Sequence, residues 1–260
     1  MIIDTHAHLY DEVYNIDISN VIIRAIKENI CNFFLPSLNI FSLKNIIHIE
    51  TMYPEILFSM IGIHPNYINI KNIYKEIDIM KKMVNKRPFI AIGEIGIDIF
   101  NSKSKENINL QKKIFKIQIE IAKEKNLPIV IHSRNSIDIV LDILEKNYNS
   151  ISGVIHCFTG NIDQAKRSIK IGLKLGIGGI LFYNKNLYKI IKKIDLNNII
   201  LETDCPYLSP VKGKRNEPFF LKKIIKEISK ISSLPINEII KININNVLNT
   251  FNLYKPLFYI

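Results

Sequence analysis

The sequence predicts an α/β fold, a single (β/α)8 TIM barrel over residues 1–260 with its functional residues at the C-terminal ends of the strands. Three observations carry the prediction. Short apolar runs alternate with longer amphipathic stretches eight times, which suits a barrel of about 250 residues. Five of the six histidines sit in short motifs that fall where an apolar run ends. Two further runs end in acid. A strand that runs apolar and then stops at His or Glu is a core element with a functional tip. An open doubly wound sheet shares the alternation and also places its site at the carboxyl ends of the strands. Closure sets the barrel apart, because it alone brings the first strand beside the eighth.

The elements follow in order. The first run, near 2–7, enters Asp4-Thr5-His6-Ala7-His8 at once, and a helix is expected from Asp17 to Glu28. The second, near 31–35, leads to a helix from Phe41 to Met52. The third, near 56–62, gives way to Gly62-Ile63-His64-Pro65 and a helix from Ile70 to Val84. The fourth, near 89–94, stops at Glu94. The longest helix then spans Lys105 to Lys125, where Leu110, Ile114, Ile117 and Ile121 form a buried stripe at spacings of three and four. The fifth run, near 128–132, closes on His132-Ser133-Arg134 before a helix from Ser136 to Lys146. The sixth, near 152–157, carries His156-Cys157-Phe158 and precedes a helix from Asp163 to Ile171. The seventh, near 173–178, reaches the glycines at 176, 178 and 179, with a helix from Lys185 to Ile194. The eighth, near 198–204, ends in Glu202-Thr203-Asp204. Helices from Pro218 to Ser229 and Pro235 to Leu248 follow, each with Pro near its first turn, where a missing N–H costs nothing.

At 47% apolar and 23% charged, the chain can bury a sizeable core. No apolar run approaches the roughly 20 residues of a membrane span. The opening residues lack the apolar region of a secretory signal. Cys31, Cys157 and Cys205 are odd in number and lack metal-finger spacing, which fits reduced thiols in a cytoplasm. The net charge of +11 permits a polyanionic partner. The chain is also rich in Ile, Lys and Asn, and drift toward lysine on solvated faces accounts for the charge. No obligate protein partner is evident.

Residues two apart on a strand share a face, so His6 and His8 can grip one metal ion, and Glu202 and Asp204 share that spacing. Imidazoles with carboxylates suit divalent ions such as Mg, Mn or Zn. Glu94, His132 and His156 lie on neighbouring strands and can build a second cluster, with Glu94 as a bridge. Two metals about 3.5–4 Å apart can clamp the attacking and leaving oxygens of a displacement at phosphorus. His48 lies in a helix with no partner motif and reads as surface or helix packing.

Seven ordered stretches then point to a family. They are DTHAHL at 4–9, GIHP at 62–65, AIGEIGID at 91–98, LPIVIHSR at 127–134, GVIHCFTG at 153–160, ETDCPYLSP at 202–210 and RNEP at 215–218. The chain resembles the TatD-family metal-dependent deoxyribonucleases, amidohydrolase-like TIM barrels, from Asp4 to about Asn249. The resemblance implies two divalent metals, one held by His6, His8, Glu94 and Asp204, the other by Glu94, His132 and His156. It implies catalytic roles or a further metal position for His64 and Glu202. The expected activity is hydrolysis of DNA phosphodiesters by a metal-generated hydroxide, which Asp204 orients or deprotonates. Single-stranded or frayed DNA ends are the expected substrate. A same-fold hydrolase of an amide, lactone or ester is the alternative, although such relatives often bridge their metals with a modified lysine where this chain has Glu94. A barrel that binds nucleic acid without cleaving it is a further alternative, at odds with the intact ligand set.

Supporting residues have two readings each. Arg134 pairs with a rim acid or grips phosphate, and Arg215 is likewise expected as a substrate contact. Asn216 caps a helix or seats phosphate with it, Asp98 caps the next loop, and the strand-seven glycines serve packing or floor the site. Phe158 and Tyr207 read as core ahead of base stacking. Phe100 and Asn135 depart from the family pattern, at positions that bear on substrate contacts.

Overall fold

The computed structural model describes residues 1–102, 104–148 and 151–253. Eight parallel strands run β1 (Ile2–Asp4), β2 (Ile30–Leu35), β3 (Leu57–Ser59), β4 (Ile92–Asp98), β5 (Ile129–Arg134), β6 (Gly153–Ile155), β7 (Leu173–Ile177) and β8 (Ile199–Leu201). Ladder hydrogen bonds join β1 to β3 and, separately, β4 to β8. Two single bridges, Ile61 to Ile92 and Ala7 to Cys205, link these sheets into a closed barrel. The first strand therefore meets the eighth, as closure requires.

One layer of side chains fills the lower barrel. Ile3, Phe34, Met60, Ala91, Val130, Val154 and Ile200 are all buried there, and Val247 and Phe251 pack against them. The period of two then places function above packing. His132 stands two residues beyond Val130, His156 two beyond Val154, and Glu202 two beyond Ile200, so each tip points into the lumen over its own core residue.

The helices are α1 (Ile18–Lys27), α2 (Ile40–Met52), α3 (Ile73–Lys86), α4 (Lys105–Glu124), α5 (Ile137–Asn147), α6 (Ile162–Lys170), α7 (Lys185–Ile191), α8 (Leu221–Ser232) and α9 (Ile236–Thr250). Pro218 opens a 3-10 turn to Phe220 rather than α8 itself. The stripe on α4 differs from expectation. Ile114 and Ile121 are buried, but so are Gln111 and Gln118, while Leu110 and Ile117 are only partly covered. The two glutamines face the barrel because each hydrogen-bonds a strand-tip backbone, described below. The fourth strand also differs. It continues through Ile95 and Ile97 to Asp98, so Glu94 lies inside the strand and Asp98 is its tip. Among the described residues no helix is long and apolar enough to cross a membrane.

Candidate metal centre

Glu94 is the hub. Its Oε2 lies 3.4 Å from His6 Nε2 and 3.9 Å from His8 Nε2. Its Oε1 lies 2.8 Å from His132 Nδ1, 3.4 Å from His156 Nε2 and 3.5 Å from His64 Nε2. Asp204 Oδ1 completes the Oε2 side, 3.4 Å from His8 and 3.8 Å from His6. The two oxygens of one carboxylate thus face two different sets of ligands. Five motif histidines, Glu94, Asp204 and Glu202 are brought together. His48 is not; it is exposed on α2.

The strand tips bend to achieve this. Asp204, Cys157 and Asn135 follow β8, β6 and β5 with φ of 58°, 45° and 57°. Asp and Asn tolerate this left-handed region better than most residues, which accounts for Asn135. Gly96 has φ 149°, and a Cβ there would meet the His132 carbonyl at 2.0 Å, so only glycine lets β5 approach. Gly176 has no Cβ where the Glu202 carboxylate sits, at 2.7 Å. Gly179 makes room for the Leu208 carbonyl. The strand-seven glycines make room for Glu202 and Leu208.

Most ring nitrogens turned away from Glu94 have partners of their own. His8 Nδ1 meets Tyr10 Oη at 2.8 Å. His132 Nε2 meets Asp98 Oδ2 at 3.2 Å. His156 Nδ1 lies at ion-pair distance, 3.2 Å, from Glu202 Oε1, the oxygen that accepts the Cys157 N–H at 2.5 Å. The Asn66 N–H donates to His64 Nδ1 at 3.1 Å. Such outer partners fix ring orientation in metal sites. Asp98 does cap its loop, through Asn101 N–H, and in addition accepts from Asn66 and faces His132.

Several contributors carried no role in the sequence reading. Asp4 is fully buried and accepts from His6 N–H, Thr203 N–H and Thr203 Oγ1, across the seam between β8 and β1. Thr5 Oγ1 donates to the Leu201 carbonyl across the same seam. Gln118 pairs with both backbone groups of Ile63, at 2.7 and 3.1 Å. Gln111 does the same for Asp98, at 2.9 and 3.3 Å. Two polar residues seven apart on an otherwise apolar stripe are the signal that could have found them.

Arg215 corrects its expectation. Its guanidinium donates to Asp17, Glu217 and the Val13 carbonyl and lies over the Tyr14 ring at 4.6 Å. Four N–H···O contacts occupy most of its five donors, so it ties the loops after β1 and β8 together. Asn216 is buried and neither caps nor seats an anion. Its amide donates to the Thr203 and Tyr207 carbonyls. Arg134 is exposed, stacks over Phe100 at 4.0 Å and has no acidic partner among the described residues. Phe158 is fully buried, as expected, but Tyr207 is 50% exposed and is not core.

The cluster fits a divalent cation. His6 is fully buried, and neither ring nitrogen has a hydrogen-bond partner among the described residues. Buried polar atoms are rarely left so, and a cation between His6, His8 and Asp204 would engage Nε2. Ligand atoms of those three lie within 4.8 Å of one another, as do those of His64, Glu94 and His132, and those of His6, His156 and Glu202. Burial lowers the pKa of His6 and keeps its ring neutral, the form that binds metal. Burial would also lower His156, but Glu94, Glu202 and Asp204 raise it to about 10. Burial pushes Glu94 up, yet the surrounding histidines, His156 first, hold it well below the usual carboxylate range. So many acids around buried imidazoles call for positive charge.

A closed barrel whose mouth gathers imidazoles on both oxygens of one acid defines the class as metal-dependent hydrolase. The comparisons with known proteins agree. Residues 3–252 match the family model described as TatD related DNase. A metal-dependent hydrolase of Bacillus subtilis, YabD, is 33% identical over 258 residues, covering 97% of this chain and all of the relative. A metal-dependent hydrolase of Methanocaldococcus jannaschii is 31% identical, covering 91% of each. The crystal structure of the TatD homolog YjjV from Escherichia coli superposes with a TM-score of 0.87 at 25% identity, covering 97% of this chain and 98% of that one. The chain belongs to the TatD family.

Proposed function

We propose that the protein is a cytoplasmic deoxyribonuclease that hydrolyses phosphodiester bonds at single-stranded or frayed DNA ends with two divalent metals. The division of Glu94 carries the reading: Oε2 faces His6 and His8, Oε1 faces His132 and His156. His6, His8, Glu94 and Asp204 would hold one ion, and Glu94, His132 and His156 the other. Bound in this way, the metals would supply a water acidified toward neutral pH and positive charge for the phosphoryl oxygens. The free thiols of all three cysteines accord with a reducing compartment.

The chain's own groups have distinct tasks. Asp204 stays ionised, because His156, with His8 and His6, outweighs the upward push of burial. It can therefore take a proton from the attacking water. His64 is kept neutral, with burial as the main cause of a pKa lowered to about 3. Its Nδ1 accepts from Asn66, so the ring proton sits on Nε2, which faces Glu94 Oε1 at 3.5 Å. That makes His64 a donor to a phosphoryl oxygen rather than a metal ligand. Glu202 orients His156. Arg134 offers an accessible guanidinium to the backbone of the departing strand.

The test is a time course on end-labelled single-stranded DNA after chelation, with Mg2+, Mn2+ or Zn2+ restored. Shortening products that vanish with EDTA and return with metal are expected. Intact DNA beside turnover of a small amide or lactone would overturn the reading.

A further inference from the structure

Two half-exposed aromatic rings stand at the mouth of the site with no part in the chemistry above. Tyr67 is 47% exposed and Tyr207 50%. Tyr67 closes the 3-10 turn that follows His64, and its ring centroid lies 6.0 Å from that imidazole at an angle of 79°. Tyr207 stands 5.7 Å from His8 at 69°. Both imidazoles face Glu94, at 3.5 and 3.9 Å. The tyrosines therefore flank the same carboxylate from outside its ring of histidines. Burial, Asp11 and then Tyr67 raise the Tyr207 hydroxyl to about 12, so the two rings are near neighbours.

The Tyr207 ring and the Tyr67 backbone are held in place. Tyr207 Oη meets Asp11 Oδ2 at 3.2 Å, and Asn216 grips the Tyr207 carbonyl. The Tyr67 N–H donates to the His64 carbonyl at 2.9 Å. A rigid exposed ring loses little freedom when something stacks on it, and every base offers a π-face. Phe100, just past the end of β4, is already covered by Arg134. A phosphate over the histidine cluster would leave its neighbouring base beside the tyrosines.

We propose that Tyr67 and Tyr207 form a stacking clamp for the unpaired nucleobase adjoining the scissile phosphodiester. The proposal rests on the phosphodiesterase reading. It gives that reading a physical basis for strand selection, because a base inside a duplex has both faces already stacked and must first be drawn out.

The test uses the metal-loaded protein and two kinds of oligonucleotide, one normal and one with abasic sugars at the 3′ and 5′ terminal residues. Cleavage is measured on phosphodiester versions. Binding is measured by anisotropy on fluorescent versions with methylene phosphonate linkages, which resist hydrolysis. Wild type should bind the normal oligonucleotide roughly 5- to 150-fold more tightly than the abasic one. Tyr67→Ala and Tyr207→Ala should each lose much of that preference, with the loss in KM rather than kcat. Tyr207→Phe keeps the ring and should retain it. Tyr74→Ala, on the outer helix α3, should behave as wild type. Equal binding of the two oligonucleotides by wild type overturns the clamp, as does an unchanged abasic penalty in both alanine variants. Cleavage without that preference sinks the clamp and leaves the phosphodiesterase reading standing. Preference without any cleavage overturns the phosphodiesterase reading and, with it, the placing of the clamp beside a scissile bond.

Discussion

The two sides of Glu94 are built differently. On the Oε1 side, His132 lies within β5 and His156 one residue past β6, and Ile129, Val130 and Ile131 pair in continuous register with Gly153, Val154 and Ile155. On the Oε2 side, His6 and His8 follow the short β1, and Asp204 follows the short β8. Those strand ends meet through one bridge, Ala7 to Cys205, and through side-chain bonds from Asp4 and Thr5. One side is positioned by a ladder, the other by stitches. Identical chemistry can thus stand on supports of unequal redundancy, and the seam side depends on single residues.

The most severe way to break the comparison is to remove what both sides share. Glu94→Gln keeps volume but surrenders the bridging charge. Turnover should fall by about three orders of magnitude, the several kcal/mol of metal charge stabilisation, while the melting temperature changes little. His48→Ala should leave turnover near wild type. Equal losses in the two variants would erase the distinction between site and scaffold.

A smaller effect separates the sides. Asp4→Asn would set an amide N–H against the Thr203 hydroxyl while removing the charge that accepts from His6 and Thr203, and Asp98→Asn would weaken the acceptor facing His132. Each should cost about 10- to 100-fold in metal affinity. In a two-step calorimetric titration with Mn2+, Asp4→Asn should weaken one step and Asp98→Asn the other. If both variants weakened the same step, the two ligand sets would not be separate sites.

The smallest effects concern the arginines. Arg134→Ala should reduce the salt slope of DNA binding by about one and raise KM without changing the melting temperature. Arg215→Ala should leave the slope alone and lower the melting temperature, by about 2–4 °C for each kcal/mol lost. The opposite pattern would restore Arg215 as a substrate contact.

The barrel and the ring of histidines are legible because the site residues fall in short motifs at the ends of apolar runs, and in β5, β6 and β8 the core residue and the functional tip stand two positions apart. What sequence hid depends on contacts between distant segments. Arg215 looked like a phosphate grip because Asp17 and Glu217 are brought to it only by the fold. Tyr207 looked like core because nothing local marks the loop after β8 as open on one side. Glu94 looked like a strand end because the polar residue interrupts an apolar run whose backbone in fact continues to Asp98. Gln118 was masked by the apolar neighbours that made α4 easy to find.

Those two glutamines make α4 a ruler. Gln111 holds Asp98, and Gln118 holds Ile63, just before His64. Seven residues of helix fix their separation along the axis at roughly 10 Å. A rod on the outside of the barrel therefore gauges the gap between two walls of a cleft it never enters. Lengthening that rod by one residue would swing one glutamine about 100° off its target, detuning the cleft from a position where no substrate is ever felt.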